Sequence, residues 1–234
     1  MSDSGEKLEW QDYYVGGIPP LAFFYERIEE IKRLASSSPQ ESGVVLELCF
    51  IGLAAYFEAY CKAQFAAIIN ICPQVLEEFV ELRDVSLRLK QLLTVVPDIS
   101  YRLGSLVSEE FDFGSAKLIN GLFHDLLALT PFSKDEAKRF AVFLNDRNLL
   151  VHHGGIFTFK YRRRKFKEKL RTDLAQRKSL VISKQDIQDW ATFLWQIAEK
   201  LANSIEPKLE NLLLQKHVEI DPERDTAIAG LNIS

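Results

Sequence analysis

Glycine and proline are scarce in this chain, 11 and 8 residues in 234. A turn-rich β fold uses more of both, so the shortage favours helices. Cysteine is scarcer still. Cys49, Cys61 and Cys72 stand 12 and 11 apart in an apolar segment, and none forms a CxxC pair. That spacing argues against a disulfide framework and predicts reduced core thiols in a cytoplasmic protein. The N-terminus is acidic and polar, without the basic region and apolar run of a secretory leader. No glycine-rich phosphate loop and no HExxH helix occur, and no nucleophile elbow supports a serine hydrolase. The adjacent His152 and His153 point about 100° apart on a helix, too far to share one metal, and further ligands are missing. Neither a metal nor another cofactor is expected.

What the chain does have is apolar residues, 47% of the total, with 16 Phe among them. That is enough for a substantial core. The net charge of −4 is spread unevenly. Residues 160–178 carry ten basic and two acidic side chains, a local net of +8 that leaves −12 for the remainder. A basic patch on an acidic body points to a polyanion partner.

Read in order, residues 1–20 are a polar arm with aromatic spots at Trp10 and Tyr13-Tyr14. Residues 21–217 are expected to form a single helical domain, and 218–234 a tail without periodicity. A first helix spans about Leu21 to Ala35, with Phe24, Ile28, Ile31 and Leu34 on one face. Gly43 to Cys72 is the most apolar segment. Glu47, Glu58 and Lys62 interrupt it, so a covered central helix fits better than a membrane span. Pro73 opens a helix expected to reach about Leu93. Two shorter helices follow, about Ile99 to Glu109 and Ser115 to Leu129. Ile156 to Tyr161 alternates as a strand would, with Leu180-Val181-Ile182 as its partner. The expected fold is therefore a mostly α helical bundle with a small β-hairpin insert carrying a basic arm. Ser183 and Asp186 form a capping pair for the last long helix, which Pro207 should kink.

The most informative stretch is Arg147-Asn148-Leu149-Leu150-Val151-His152-His153-Gly154-Gly155. It ends a helix that starts at Ser133, an N-cap followed by Asp135 and Glu136 in the first turn. Ala137, Phe140, Leu144 and Val151 recur at helical spacing, and Arg147 takes a place in that stripe where a leucine is expected. A guanidinium on an apolar face needs a partner. Asn145, Asn148 and His152 share a polar edge beside it. Arg suits phosphate oxygens and His moves protons near neutral pH, so the combination suits phosphate chemistry. Glu58, an acid on the apolar segment, reads first as a solvated edge residue, and in the sharper reading as a partner that holds Arg147 in place.

Arg147, the polar Asn148, His152 and the glycine pair together resemble the signature of the HEPN superfamily, an Arg, a polar residue and a His near the end of a helix in a small helical bundle. The resemblance implies a metal-independent endoribonuclease. In this reading His152 handles protons, Arg147 binds the phosphate, and Asn148 orients one or the other. His153 has the same intrinsic chemistry but fits the motif spacing less well. One such His per chain against two proton transfers implies a homodimer with facing motifs. The family analogy adds a toxin or defence role and a separate antitoxin or regulator. Arg162, Arg163, Arg164, Lys165 and Lys167 are expected to contribute RNA affinity, with Tyr161 and Phe166 either stacking on bases or packing beneath the hairpin. From a different class comes a non-catalytic module that binds RNA, a nucleotide or a protein. In the plainest alternative Arg147 is a structural ion-pair partner, and His152 a cation favoured by the helix C-terminus.

Overall fold

A computed structural model describes residues 9–39, 41, 43–85, 99–165 and 179–233. Its α-helices are α1 (Pro20–Ser37), α2 (Val44–Ile71), α3 (Leu76–Leu82), α4 (Ile99–Glu109), α5 (Ala116–Leu127), α6 (Lys134–His153), α7 (Phe159–Lys165), α8 (Lys184–Gln215) and α9 (Pro222–Gly230). Short 3₁₀ turns lie at Trp10–Tyr13, Val15–Gly17 and Pro73–Val75. The mostly α fold is as expected; the hairpin is not found. Among the described residues the only β feature is an isolated antiparallel bridge between Ile156 and Ser179.

The backbone that alternation marked as a strand becomes helix α7 from Phe159 onward. Phe157 and Tyr161 are four apart, which puts them on one face of an alternating strand but also about one helical turn apart, and their rings stack at 5.1 Å. Thr158 starts the helix: its Oγ1 accepts from the Tyr161 amide at 3.1 Å and its carbonyl from the Arg162 amide at 3.0 Å. The hydroxyl cap and the buried face of Tyr161 outweigh strand propensity in so short a segment.

Two compact units make up the chain. Unit 1 contains residues 1–25, 58–131 and 196–234, and unit 2 contains 26–57 and 132–195.

In unit 1 the centre is Phe65, ringed by Phe79, Phe111, Phe113 and Phe123 with centroids 5.5–6.2 Å away. α2 and α4 approach closely at Gly104, where a Cβ would lie 2.0 Å from the Ala66 carbonyl oxygen. Buried Asn70 secures the neighbourhood, donating to the Tyr13 carbonyl and accepting from the Gly104 amide. The N-terminal aromatics are docked. Tyr13 and Tyr14 are buried, and the Tyr14 hydroxyl donates to the Ala227 carbonyl. Its partner is α9, which forms within the stretch read as an aperiodic tail. Asp221 caps that helix by accepting from the Arg224 amide, and Pro222 follows at its first turn, the start signals of a short helix. Of the helix expected from Pro73 to about Leu93, the described part is a 3₁₀ turn and α3; residues 86–93 lie outside the described residues.

Unit 2 has a second aromatic core. Phe143 lies 4.7 Å from Phe50 and 4.9 Å from Trp190, while Phe140 packs on Phe57 and Phe132. α6 begins in a full capping box, Ser133 accepting from the Glu136 amide and Glu136 accepting from the Ser133 amide. Ser183 and Asp186 repeat the arrangement at α8. On α1, Leu34 is exposed and Ala35 is buried in its place.

α2 is long and apolar enough to cross a membrane by length and composition. It buries a stripe of Leu46, Phe50, Leu53 and Phe57 in unit 2 and nearly every residue from Tyr60 to Ile71 in unit 1. α8 continues through Pro207, which is exposed.

Candidate functional site

The end of α6 and the start of α7 enclose a cavity of about 270 Å³ in unit 2. Two consecutive left-handed residues make the reversal between the helices: Gly154 at φ 54° and Gly155 at φ 76°. Their amides return to the Leu150 and Leu149 carbonyls and close the helix end. A side chain at either position would be strained, so the glycine pair is tied to the shape of the cavity.

α6 lines the cavity with Asn145, Asn148, His152 and His153, over a floor that includes Val142 and Leu149. α7 and its cap add Thr158, Lys160 and Tyr161. His152, His153 and Lys160 are exposed to solvent, so two imidazoles and an amine of the cavity lining reach water.

Beneath them lies a buried polar pair absent from the sequence expectations. Asp146, 7% exposed, accepts a 2.6 Å hydrogen bond from the hydroxyl of Tyr161, 8% exposed. Burial, then the hydrogen bond to Asp146 and its charge, holds the Tyr161 phenol far above its ordinary pKa. It therefore stays a proton donor, and the bond ties α7 to α6. Arg162 reinforces α7 locally, with its guanidinium 5.9 Å from the Phe157 ring.

Arg147 is placed differently from the expectation. The buried residues of α6 are Phe140, Phe143, Asp146, Leu149 and Leu150, while Leu144 is half-buried and Val151 is exposed. The polar residue on the core face is thus Asp146, one position earlier. Arg147 is half-buried and does not line the cavity; its Nε is enclosed without a hydrogen-bond partner among the described residues. Helix geometry gives the reason: residues five apart lie about 140° apart around the axis, so Arg147 and His152 occupy different sides. Glu58 belongs to unit 1 and Arg147 to unit 2. Glu58 is half-buried, and its charge adds to the burial that pushes the Cys61 thiol up.

Of the basic stretch, Arg162 and Arg163 are exposed on α7, Arg164 and Lys165 continue its backbone, and Lys167 lies outside the described residues. The sequence reading missed Lys160 as a wall of the cavity and Asp146 as a buried partner; Tyr161, considered there for stacking on RNA or for packing, is buried against Asp146. A signal was present for the last two: a lone acid at core phase four residues before Leu150, and a tyrosine that ends an apolar alternation. Among the described residues no three His, Cys, Asp or Glu side chains cluster as a metal site needs.

Unit 1 holds two larger cavities, of about 440 and 460 Å³. The first is mainly apolar, lined by residues such as Ile18, Phe23 and Tyr60, and the second is more polar, with Asp12 and Arg102. Neither contains a histidine or a cysteine.

Compared with protein-family models, with characterised proteins and with solved structures, the chain matches none.

Proposed function

We propose that the protein is a metal-independent endoribonuclease whose site is the cavity between α6 and α7. The observation that carries this reading is the convergence of two histidines, two asparagines and a lysine on one cavity next to a basic helix. RNA supplies its own nucleophile. The 2′-hydroxyl loses a proton to a base and its oxygen bonds to phosphorus. The bond from phosphorus to the 5′-oxygen breaks as an acid protonates that oxygen, leaving a 2′,3′-cyclic phosphate and a 5′-hydroxyl. The site needs a base, an acid and a cation for the charge on phosphorus.

His152 is assigned to proton transfer. Lys160, as the cation lining the cavity, takes the phosphate-binding part that the motif suggests for Arg147. Asn145 and Asn148 are amides able to orient the phosphate or an imidazole. Arg162 and Arg163, exposed on α7 two and three residues after Lys160, extend the cationic surface along a strand of RNA. The HEPN affiliation, a toxin or defence role, a separate regulator and a cytoplasmic location belong to the same proposal, and their support is the Arg147–His152 motif together with buried free thiols at Cys49, Cys61 and Cys72.

A second reading, a non-catalytic RNA- or nucleotide-binding module, is favoured by one observation: Arg147 does not join His152 in the cavity. Incubating the pure protein with mixed RNA in EDTA separates the two. Fragments ending in 2′,3′-cyclic phosphate, lost with His152→Gln, support the enzyme. RNA that is bound but left intact supports the module.

A further inference from the structure

We infer that His153 is the second proton-transfer group of this site, so that a single chain holds both the base and the acid. The inference rests on the ribonuclease reading above and concerns how that site is completed. In the sequence the two histidines compete for one role, and the shortage of a second proton-transfer group calls for another copy of the chain. The structure changes the count. His152 and His153 line the same cavity, and both are exposed.

Their arrangement follows from the helix. Consecutive residues lie about 100° apart, and Val142, Asn145 and Leu149 fall in the arc between His152 and His153. Those three residues also line the cavity. The two side chains therefore leave the helix at the two edges of that arc, while Lys160 and Tyr161 line the same cavity from α7. In transfer at phosphorus the attacking and leaving oxygens stand roughly in line on opposite sides of the atom. In the proposed arrangement a phosphate seated in the cavity has one histidine toward each oxygen. One takes the 2′-hydroxyl proton as the new P–O bond forms; the other gives a proton to the departing 5′-oxygen. After one turnover their protonation states are exchanged, and solvent resets them. The other titratable groups facing the cavity are Asp146, Lys160 and Tyr161. Asp146 and Tyr161 are engaged with each other, which leaves the histidines and Lys160 for substrate.

Such a site works without contributions from a second copy, whatever the protein's association state. The test uses the full chain carrying His152→Gln, His153→Gln, or both, with a short single-stranded RNA in EDTA. Both residues are exposed, so helicity should be unchanged, and circular dichroism checks this. Each single variant should lose about 10²–10⁴-fold in cleavage while keeping RNA affinity. The bell-shaped pH profile of kcat/KM expected of the wild type should lose one limb in each. Mixing the two single variants should restore nothing, since neither chain has a complete pair. Wild-type cleavage by His153→Gln overturns the inference and leaves the ribonuclease reading intact, with His152 as its one histidine. Activity regained on mixing also overturns it, because the pair is then shared between chains. RNA left intact by the wild type overturns the inference together with the reading beneath it.

Discussion

The Phe65 cluster of unit 1 and the Asp146–Tyr161 pair of unit 2 are both buried, but they are held by different forces. Around Phe65 five rings exclude water and no polar atom needs a partner. Its stability is non-directional and tolerates small shifts. The Asp146–Tyr161 pair is joined by a 2.6 Å bond between groups whose burial is costly if that bond is lost. A core made only for stability gains little from that arrangement. Beside a cavity with two histidines and a lysine, it fixes how α7 lies against α6. The comparison teaches that apolar rings hold the centre of unit 1, while beside the cavity of unit 2 a buried polar pair joins α7 to α6.

The largest expected effect comes from breaking the scaffold. Phe65→Ala should cost about 3–5 kcal/mol by urea unfolding, since the neighbouring rings cannot collapse fully into the space. RNA affinity measured well below the transition should be unchanged. A coincident loss of affinity would erase the distinction between the two regions.

Next is the polar pair. Tyr161→Phe removes a donor from a buried acceptor and should cost about 1–3 kcal/mol. Unlike Phe65→Ala, it should also weaken RNA binding and lower cleavage, because α7 carries Lys160, Arg162 and Arg163. Asp146→Asn, which still accepts the hydrogen bond, should do less on both measures. If Tyr161→Phe destabilises without touching binding, the pair belongs to the scaffold after all.

The same pair predicts a pH dependence. The ordinary tyrosine value is 10.0, and burial followed by Asp146 raises that of Tyr161. The unfolded chain therefore releases the Tyr161 proton first as pH rises. The stabilising contribution is complete below pH 10 and falls above it, by up to about 1.4 kcal/mol per pH unit for one tyrosine. Tyr13, Tyr14 and Tyr60 of unit 1 are raised chiefly by burial and add to the alkaline loss. Alkaline unfolding curves of the wild type and Tyr161→Phe should thus diverge in slope only above pH 10. Parallel slopes would show that the Tyr161 proton is not held by the fold.

The smallest stability effect is expected at the surface. The triple change Arg162→Gln, Arg163→Gln and Arg164→Gln should alter unfolding free energy by no more than about 0.5 kcal/mol. It should flatten the log–log dependence of RNA affinity on salt by up to about 2, at about 0.7 per phosphate contact on a single strand. Cleavage at saturating RNA should change little. An unchanged salt slope would make these arginines a solvated surface.

The helices were legible because their determinants are local. Ser133 with Glu136, Ser183 with Asp186, the glycine pair after His153 and the shortage of turn residues act over a few residues, and the structure keeps them. Asn145, Asn148 and His152 share a polar edge by spacing alone, and that edge lines the cavity. Tertiary structure decided what local pattern leaves open. The alternation through Phe157, Phe159 and Tyr161 is compatible with a strand or a helix, and contact with Asp146, fifteen residues away, accompanies the helix. The apolar stripe of α6 can be read through Arg147 or through Asp146, and only the aromatic partners packed on Phe140 and Phe143 set its rotation. That rotation separates Arg147 from the cavity and brings His153 into it. Periodicity in a chain shows that a helix has faces; which face turns inward depends on the residues it meets.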